Sequence, residues 1–185
     1  MAKPRILAGS AKGRTLETPD RGTRPSPSRL REALFDALQF RERGRFLDLY
    51  AGSGAVGLEA ASRGFRATLV ELDRAAAAVL RRNARRLRLD AEVLQADALT
   101  IARARPGRYE VVFAAPPYAL DLATIFLEIV RAAPVKAGGV YLFQHPTSLD
   151  WASERAHDLA ELGHPLERIS RRRYGSNQLT RIAAE

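Results

Sequence analysis

The chain has 185 residues, 46% of them hydrophobic and 28% charged, which suits one domain with small attachments and is too apolar for a disordered tail. It contains no cysteine, which excludes disulfide scaffolds, Cys-based zinc sites and cysteine nucleophiles, and its three scattered histidines, His145, His157 and His164, do not suggest a metal site. The net charge of +9 lies at the two ends: residues 1–45 hold 11 Lys and Arg against 5 Asp and Glu, residues 166–185 hold 5 against 2, and residues 46–165 hold 14 of each sign. Of the 30 basic residues 27 are arginine, whose planar fork suits phosphate, so a nucleic-acid partner is one reading of the basic ends and plain solubility the other. No apolar run approaches the roughly 18 residues of a membrane helix. The start, Met1-Ala2-Lys3-Pro4-Arg5, is not followed by the apolar stretch of a secretory signal, so the expected location is the cytoplasm, without membrane association.

In chain order, Arg5 to Gly9 and Arg14 to Glu17 read as short strands around the Gly-bearing turn Ser10 to Gly13, forming a small basic β-hairpin. A Pro/Gly/Arg-rich connection spans Pro19 to Pro27. Ser26 followed by Pro27 predicts a helix start, and Leu30, Leu34, Ala37 and Leu38 share one face, giving a helix over 27–40. Phe46 to Tyr50 is a short apolar strand ending in a Gly-rich turn, with a helical stretch at Ala55 to Arg63. Further strands are expected at Arg66 to Leu72, Ala91 to Gln95, Tyr109 to Ala114 and Gly139 to Gln144. They alternate with helices at Arg74 to Leu89, 98–105 and 120–133. The arginines of the 74–89 helix read as a solvated face. A helix near Leu149 to Leu162 and a terminal hairpin, Leu166 to Tyr174 and Gln178 to Ala183 around Gly175-Ser176-Asn177, complete the chain. Alternating strands and helices imply a doubly wound, mainly parallel α/β sheet with a C-terminal antiparallel hairpin. The expected organisation is a basic segment over 1–25 and one domain over 26–185.

In such sheets ligands bind beyond the carboxyl ends of the strands, so the strand-to-helix turns bear the chemistry. The first turn, Asp48-Leu49-Tyr50-Ala51-Gly52-Ser53-Gly54-Ala55-Val56-Gly57, has the spacing G-x-G-x-x-G, and Glu71 follows the first glycine by 19 residues. That pattern fits a dinucleotide site as well. Two further turns favour a different ligand. The third strand ends at Gln95-Ala96-Asp97-Ala98 and the fourth at Ala114-Ala115-Pro116-Pro117-Tyr118, and a nicotinamide cofactor calls for neither. S-adenosylmethionine (SAM) accounts for both. Asp48 would meet its ammonium beside the backbone of Tyr50, Ala51, Gly52, Ser53 and Gly54. Glu71 would accept from its ribose diol, and Asp97 from its adenine amine, with Leu72 and Ala98 against the ring. Each acid could instead be a helix cap or surface charge. At the fourth turn, the Pro116 carbonyl could accept a proton of a nucleobase amine, with Tyr118 stacked on the base to set the line of attack.

These segments together resemble the amino-group SAM methyltransferases with an Asp/Asn-Pro-Pro-aromatic motif. Within them the chain is similar to the RsmD family, whose members methylate the N2 amine of a guanine in 16S ribosomal RNA. The resemblance is carried by Arg5-Ile6-Leu7 to Gly13-Arg14, Arg24-Pro25-Ser26 with Arg29, Arg31-Glu32-Ala33-Leu34-Phe35, Leu47-Asp48 to Gly54 with Gly57-Leu58-Glu59-Ala60, Glu71-Leu72-Asp73, and Tyr174-Gly175. It implies a seven-stranded Rossmann-like fold, SAM as cofactor, and 16S rRNA or a small-subunit assembly intermediate as partner, with the protein a monomer. It also implies RNA contacts through Arg5, Lys12, Arg14, Arg24, Arg29 and Arg31, and amine recognition by the segment 115–118, Ala115, Pro116, Pro117 and Tyr118. The family pattern has Asp before Pro-Pro where this chain has Ala115, so one acceptor for the target amine is missing. A slow enzyme, a SAM- and RNA-binding assembly protein without useful catalysis, and substitution by Tyr109, Glu110 or Asp121 are the alternatives that follow. A DNA adenine methyltransferase is disfavoured by the short chain, and a nicotinamide oxidoreductase by the third and fourth turns.

Overall fold

Short apolar runs alternating with Ala- and Leu-rich amphipathic stretches give the element order of the computed structural model, which describes residues 3–19 and 25–185. The elements are α1 Ser28–Asp36, β1 Arg45–Leu49, α2 Gly57–Ser62, β2 Arg66–Glu71, α3 Arg74–Arg86, β3 Ala91–Gln95, α4 Ala98–Ala104, β4 Tyr109–Ala114, α5 Leu122–Ala132, β5 Val135–Pro146, α6 Trp151–Glu154, α7 Ala156–Glu161, β6 Ile169–Tyr174 and β7 Asn177–Ala183. The sheet has seven strands in the order β3-β2-β1-β4-β5-β7-β6. The pairs β1/β2, β2/β3 and β4/β5 are parallel, and β5/β7 and β6/β7 antiparallel, which is the expected mainly parallel sheet with a C-terminal hairpin. The chain divides into two compact units, Met1–Ala98 and Leu99–Glu185.

In the first unit β1 and β2 are buried along their length except at their ends, as a parallel pair covered on both faces should be. Leu58 of α2 and Leu80 and Ala84 of α3 pack with Leu69 of β2 and with Ile6, Ala11 and Leu16 of the N-terminal segment. That segment turns back on itself through the bridge Arg5 to Thr15, with the Ile6 N–H donating to the Arg14 carbonyl (2.9 Å) and the Leu16 N–H to the Pro4 carbonyl (2.8 Å). Side chains of α2 and α3 satisfy further backbone groups of the segment. Glu59 accepts from the N–H groups of Leu7 (2.7 Å) and Ala8 (3.0 Å), Ser62 Oγ from Ala11 (2.9 Å), and Asn83 Oδ1 from Glu17 (2.9 Å). Burying Ile6 and Leu16 contributes on the order of 2 kcal/mol each, which ties the basic segment to the core.

In the second unit Phe126 stacks on Phe143 at 4.6 Å, and Trp151 packs against both rings. The helix predicted over 149–162 breaks at Arg155 (φ −112°, ψ 23°) into α6, which buries Trp151, and α7, which buries Leu159. β5 begins at Val135, earlier than predicted. A register shift opposite Tyr109 and Val111 absorbs the intervening residues, with Gly138 at φ 77°. Helix α1 ends at Asp36 rather than at residue 40, with Pro27 at its N-cap.

Candidate functional site

The carboxyl end of β1 leads into the turn of residues 50–56. Tyr50, Gly52 and Gly54 all have positive φ (67°, 56° and 92°), which folds the backbone of this turn back toward Asp48. Tyr50 bears a left-handed conformation that costs a non-glycine residue about 1 kcal/mol or more. A Cβ on Gly54 would lie 2.5 Å from Leu80, and one on Gly57 2.4 Å from Leu69 and 2.9 Å from Asp48 Oδ2, so both positions require glycine. The Gly57 N–H donates to Asp48 Oδ2 at 2.8 Å. Asp48 is fully buried, and its other oxygen, Oδ1, has no hydrogen-bond partner. Burial pushes the Asp48 carboxyl up to about 8, opposed by the Gly57 bond and reinforced by the charge of Glu71. A buried acceptor without a donor costs roughly 1–3 kcal/mol, a cost that a ligand ammonium would remove. The residues therefore fit the amino-acid end of SAM.

Glu71, at the end of β2, accepts from Gly52 N–H through Oε2 (2.8 Å) and from Asp73 N–H through Oε1 (2.9 Å). These bonds orient the carboxylate against the glycine turn, and each oxygen retains a second acceptor site for a diol. Leu72 beside it is 67% exposed, an apolar surface of the kind an adenine ring would cover. Asp97 is exposed and Ala98 buried. The Tyr50 hydroxyl is pushed up to about 12, first by burial and then by the charge of Asp97, so it stays a neutral donor. The first unit thus brings together Asp48, Tyr50 to Gly54, Glu71 and Asp97 by ending three neighbouring parallel strands in register. Ala51 and Ser53 are buried within the turn. Asn83, absent from the expected set, holds this turn from beneath. Its Nδ2 donates to the carbonyls of Ser53 (3.0 Å) and Glu17 (2.9 Å). Its signal was one polar residue on the apolar stripe Ala76, Ala77, Leu80 and Ala84.

In the second unit the turn after β4 carries Ala115, Pro116, Pro117 and Tyr118. Pro116 is buried, Pro117 exposed and Ala115 half-buried. Tyr118, 46% exposed, donates from its hydroxyl to Asn177 Oδ1 at 2.5 Å and accepts from Gln144 Nε2 at 3.4 Å. Asn177 and Gln144 lie far away in sequence, and nothing local marks them. The three neighbours considered as replacements for the missing carboxylate are engaged elsewhere. Tyr109 is buried, with its hydroxyl accepting from Arg105 at 3.0 Å. Glu110 pairs with Lys136 at 2.8 Å. Asp121 caps α5, accepting from the Thr124 N–H (3.2 Å) and hydroxyl (2.7 Å), which holds its carboxyl below the usual range.

Of the expected RNA-contacting residues, Arg5, Lys12, Arg14 and Arg29 are exposed, and Arg24 lies outside the described residues. Arg31 does not face outward. It is 1% exposed, donates to the carbonyls of Arg5 (2.9 Å), Ser26 (3.2 Å) and Ala55 (3.4 Å), and lies 3.6 Å from Glu59. Burial lowers its affinity for a proton, and Glu59 and Glu32 oppose this. A guanidinium spent on three carbonyls and a buried carboxylate cannot reach a phosphate, so Arg31 is a structural residue. Among the described residues no group of three or more His, Asp or Glu is arranged to hold a metal ion. Nor is any helix among them long and apolar enough to cross a membrane.

The model of the family described as conserved hypothetical protein 95 matches residues 4–183. The ribosomal RNA small subunit methyltransferase D of Escherichia coli K12 is 40% identical over 118 residues, 62% of this chain and 60% of that protein; the match thus spans under two thirds of that relative's length. A solved hypothetical protein of Thermus thermophilus is 47% identical, covering 96% of this chain and 98% of that one, with a TM-score of 0.82. At 22% identity, the 16S rRNA N2 methyltransferase RsmC of Thermus thermophilus, solved with AdoMet and guanosine, shares the Rossmann-like fold over all of this chain and 50% of its own, with a TM-score of 0.73.

Proposed function

Because this chain belongs to the conserved hypothetical protein 95 family, the RsmD family, we propose that it is a SAM-dependent methyltransferase of 16S ribosomal RNA acting on a guanine N2 amine, that of guanine 966. The observation that carries this reading is Asp48 Oδ1, buried and unpartnered beside the glycine turn. The name of the E. coli relative and the ligands of the RsmC neighbour support it. Residues 1–25 serve as the RNA-facing attachment and 26–185 as the methyltransferase domain, which acts as a cytoplasmic monomer on naked 16S rRNA or on an assembling small subunit.

Bound to the first unit, SAM would supply a methyl group on a positively charged sulfur. Asp48 takes its ammonium, Glu71 its ribose diol, and Asp97 its adenine amine, with Leu72 and Ala98 against the ring. In the second unit the Pro116 carbonyl would accept a hydrogen bond from the guanine amine while the Tyr118 ring, held by Asn177 and Gln144, stacks on the base. Holding the amine out of plane would localise its lone pair toward the methyl group; the nitrogen would gain the methyl and give up one proton to water, the sulfur leaving as a neutral thioether. Ala115 offers no second acceptor, and Tyr109, Glu110 and Asp121 are otherwise engaged, so the rate is reduced by on the order of 10² to 10³ relative to a site with both acceptors. The same observation sustains the second reading, an assembly protein that binds SAM and RNA without useful catalysis. Transfer of labelled methyl from SAM to small subunits lacking the modification, with mass-spectrometric mapping, tests both. Methylation of a guanine N2 supports the enzyme. SAM and RNA binding without transfer favours the second reading, and failure to bind SAM overturns both.

A further inference from the structure

Helix α3 contains no acidic residue, and the arginines of its last two turns fall into two rows with different fates. At about 100° per residue, Arg82 and Arg86 share one row, displaced by roughly a quarter turn from Arg81 and Arg85. The first row is consumed by the N-terminal segment: Arg82 pairs with Glu17 at 3.3 Å, and Arg86 donates to the Thr15 carbonyl and to Asn83 Oδ1. The second row is left to solvent. Arg81 and Arg85, joined by Arg88 just past the helix, rim a shallow groove floored by Ala84, Leu89 and Val93. All three are exposed, and no carboxylate among the described residues pairs with them.

An ordinary solvated helix face interleaves acids with bases, because like charges four residues apart, as Arg81 and Arg85 are, destabilise a helix by a few tenths of a kcal/mol. Here that repulsion is uncompensated. Arg88 adds a second cost: it occupies the left-handed position after the helix (φ 54°), where glycine or asparagine is the usual choice. Three guanidiniums spread over roughly 10 Å match about three successive phosphates of one nucleic-acid strand. The apolar floor between them suits ribose and base faces. We infer that the groove lined by Arg81, Arg85 and Arg88 is a second RNA-docking surface, which takes the sugar-phosphate backbone of the substrate RNA alongside the contacts of the N-terminal segment. This inference rests on the ribosomal RNA reading above.

The test is filter binding of 16S rRNA transcribed in vitro, over a salt series, to the full chain and three variants. These are Arg81→Gln/Arg85→Gln/Arg88→Gln, the corresponding triple Lys substitution, and Arg5→Gln/Lys12→Gln/Arg29→Gln. Losing three phosphate contacts should reduce the slope of log affinity against log salt by about 2. Between about 50 and about 200 mM salt the Gln triple should then lose roughly 15-fold less affinity than the wild type. The Lys triple should keep the wild-type slope, since a phosphate contact needs charge rather than the guanidinium fork. SAM affinity should stay at the wild-type value in all variants, and Tm should not fall; the Gln triple should gain slightly from the relieved repulsion. If the groove triple superimposes on wild type while the N-terminal triple flattens the curve, the inference is overturned and the RNA reading stands. If the wild type shows no salt-dependent RNA binding, the RNA reading itself fails.

Discussion

Asp48→Asn removes the ionisable group at the centre of the proposed cofactor site while keeping an acceptor oxygen for the Gly57 N–H. In the folded chain the Asp48 carboxyl is held at about 8, against 3.8 for an ordinary aspartate. Between those pH values the folded state keeps a proton that the unfolded chain has lost, so stability falls as pH rises through the window and levels off above about 8. At pH 7 the difference amounts to about 4 kcal/mol. An ammonium at Oδ1 reverses the preference, because it favours the ionised carboxylate; SAM binding should then expel the proton. Calorimetry at pH 6.5 in buffers of different ionisation enthalpy should register close to one proton released per SAM bound. Below pH 7 the affinity should rise nearly tenfold per pH unit. In the Asn variant that proton should vanish, SAM should bind about 5- to 150-fold more weakly, and the fall in stability between pH 4 and 8 should flatten. Proton release persisting unchanged in the variant, or undiminished SAM affinity together with no release by the wild type, would refute the assignment of Asp48 to the ammonium.

Glu71→Ala should weaken SAM binding by about 1–3 kcal/mol, read by calorimetry, since it removes the diol acceptor and frees the Gly52 N–H. Ala115→Asp should raise single-turnover methyl transfer at least about tenfold with little change in SAM affinity, because a carboxylate there binds the amine more tightly as charge develops on nitrogen. A fast wild type with no gain from the substitution would mean that another group already holds the second proton. Arg31→Met should cost about 1–3 kcal/mol in urea unfolding, by leaving the carbonyls of Arg5, Ser26 and Ala55 without their donor while Glu59 keeps Arg63 at 2.9 Å, and the salt slope of RNA binding should stay unchanged.

The strand and helix order, the glycine turn and the acids at the ends of β1, β2 and β3 were legible in the amino-acid sequence, because they depend on short-range chemistry. Apolar runs, a 3.6-residue period and the tolerance of glycine for positive φ act over a few residues, and parallel strands of similar length bring Asp48, Glu71 and Asp97 to one edge of the first unit. Local chemistry could not reveal which charges are buried or what they meet. Arg29 and Arg31 lie two residues apart in one basic segment, yet only Arg31 points inward, because Glu59 on α2 and three backbone carbonyls converge on it. Trp151 meets the Phe126 and Phe143 rings, 25 and 8 residues earlier, in a contact that no local pattern marks. Tyr118 meets Asn177 across 59 residues, and the turn containing Ser53 is held by an asparagine 30 residues on. The unpartnered oxygen of Asp48 is likewise a property of the packed turn, since whether a carboxylate finds a donor or water depends on every atom folded around it. Sequence periodicity places residues on faces; the burial that gives a charge its partner and its pKa depends on long-range contacts, and only the tertiary structure decides it.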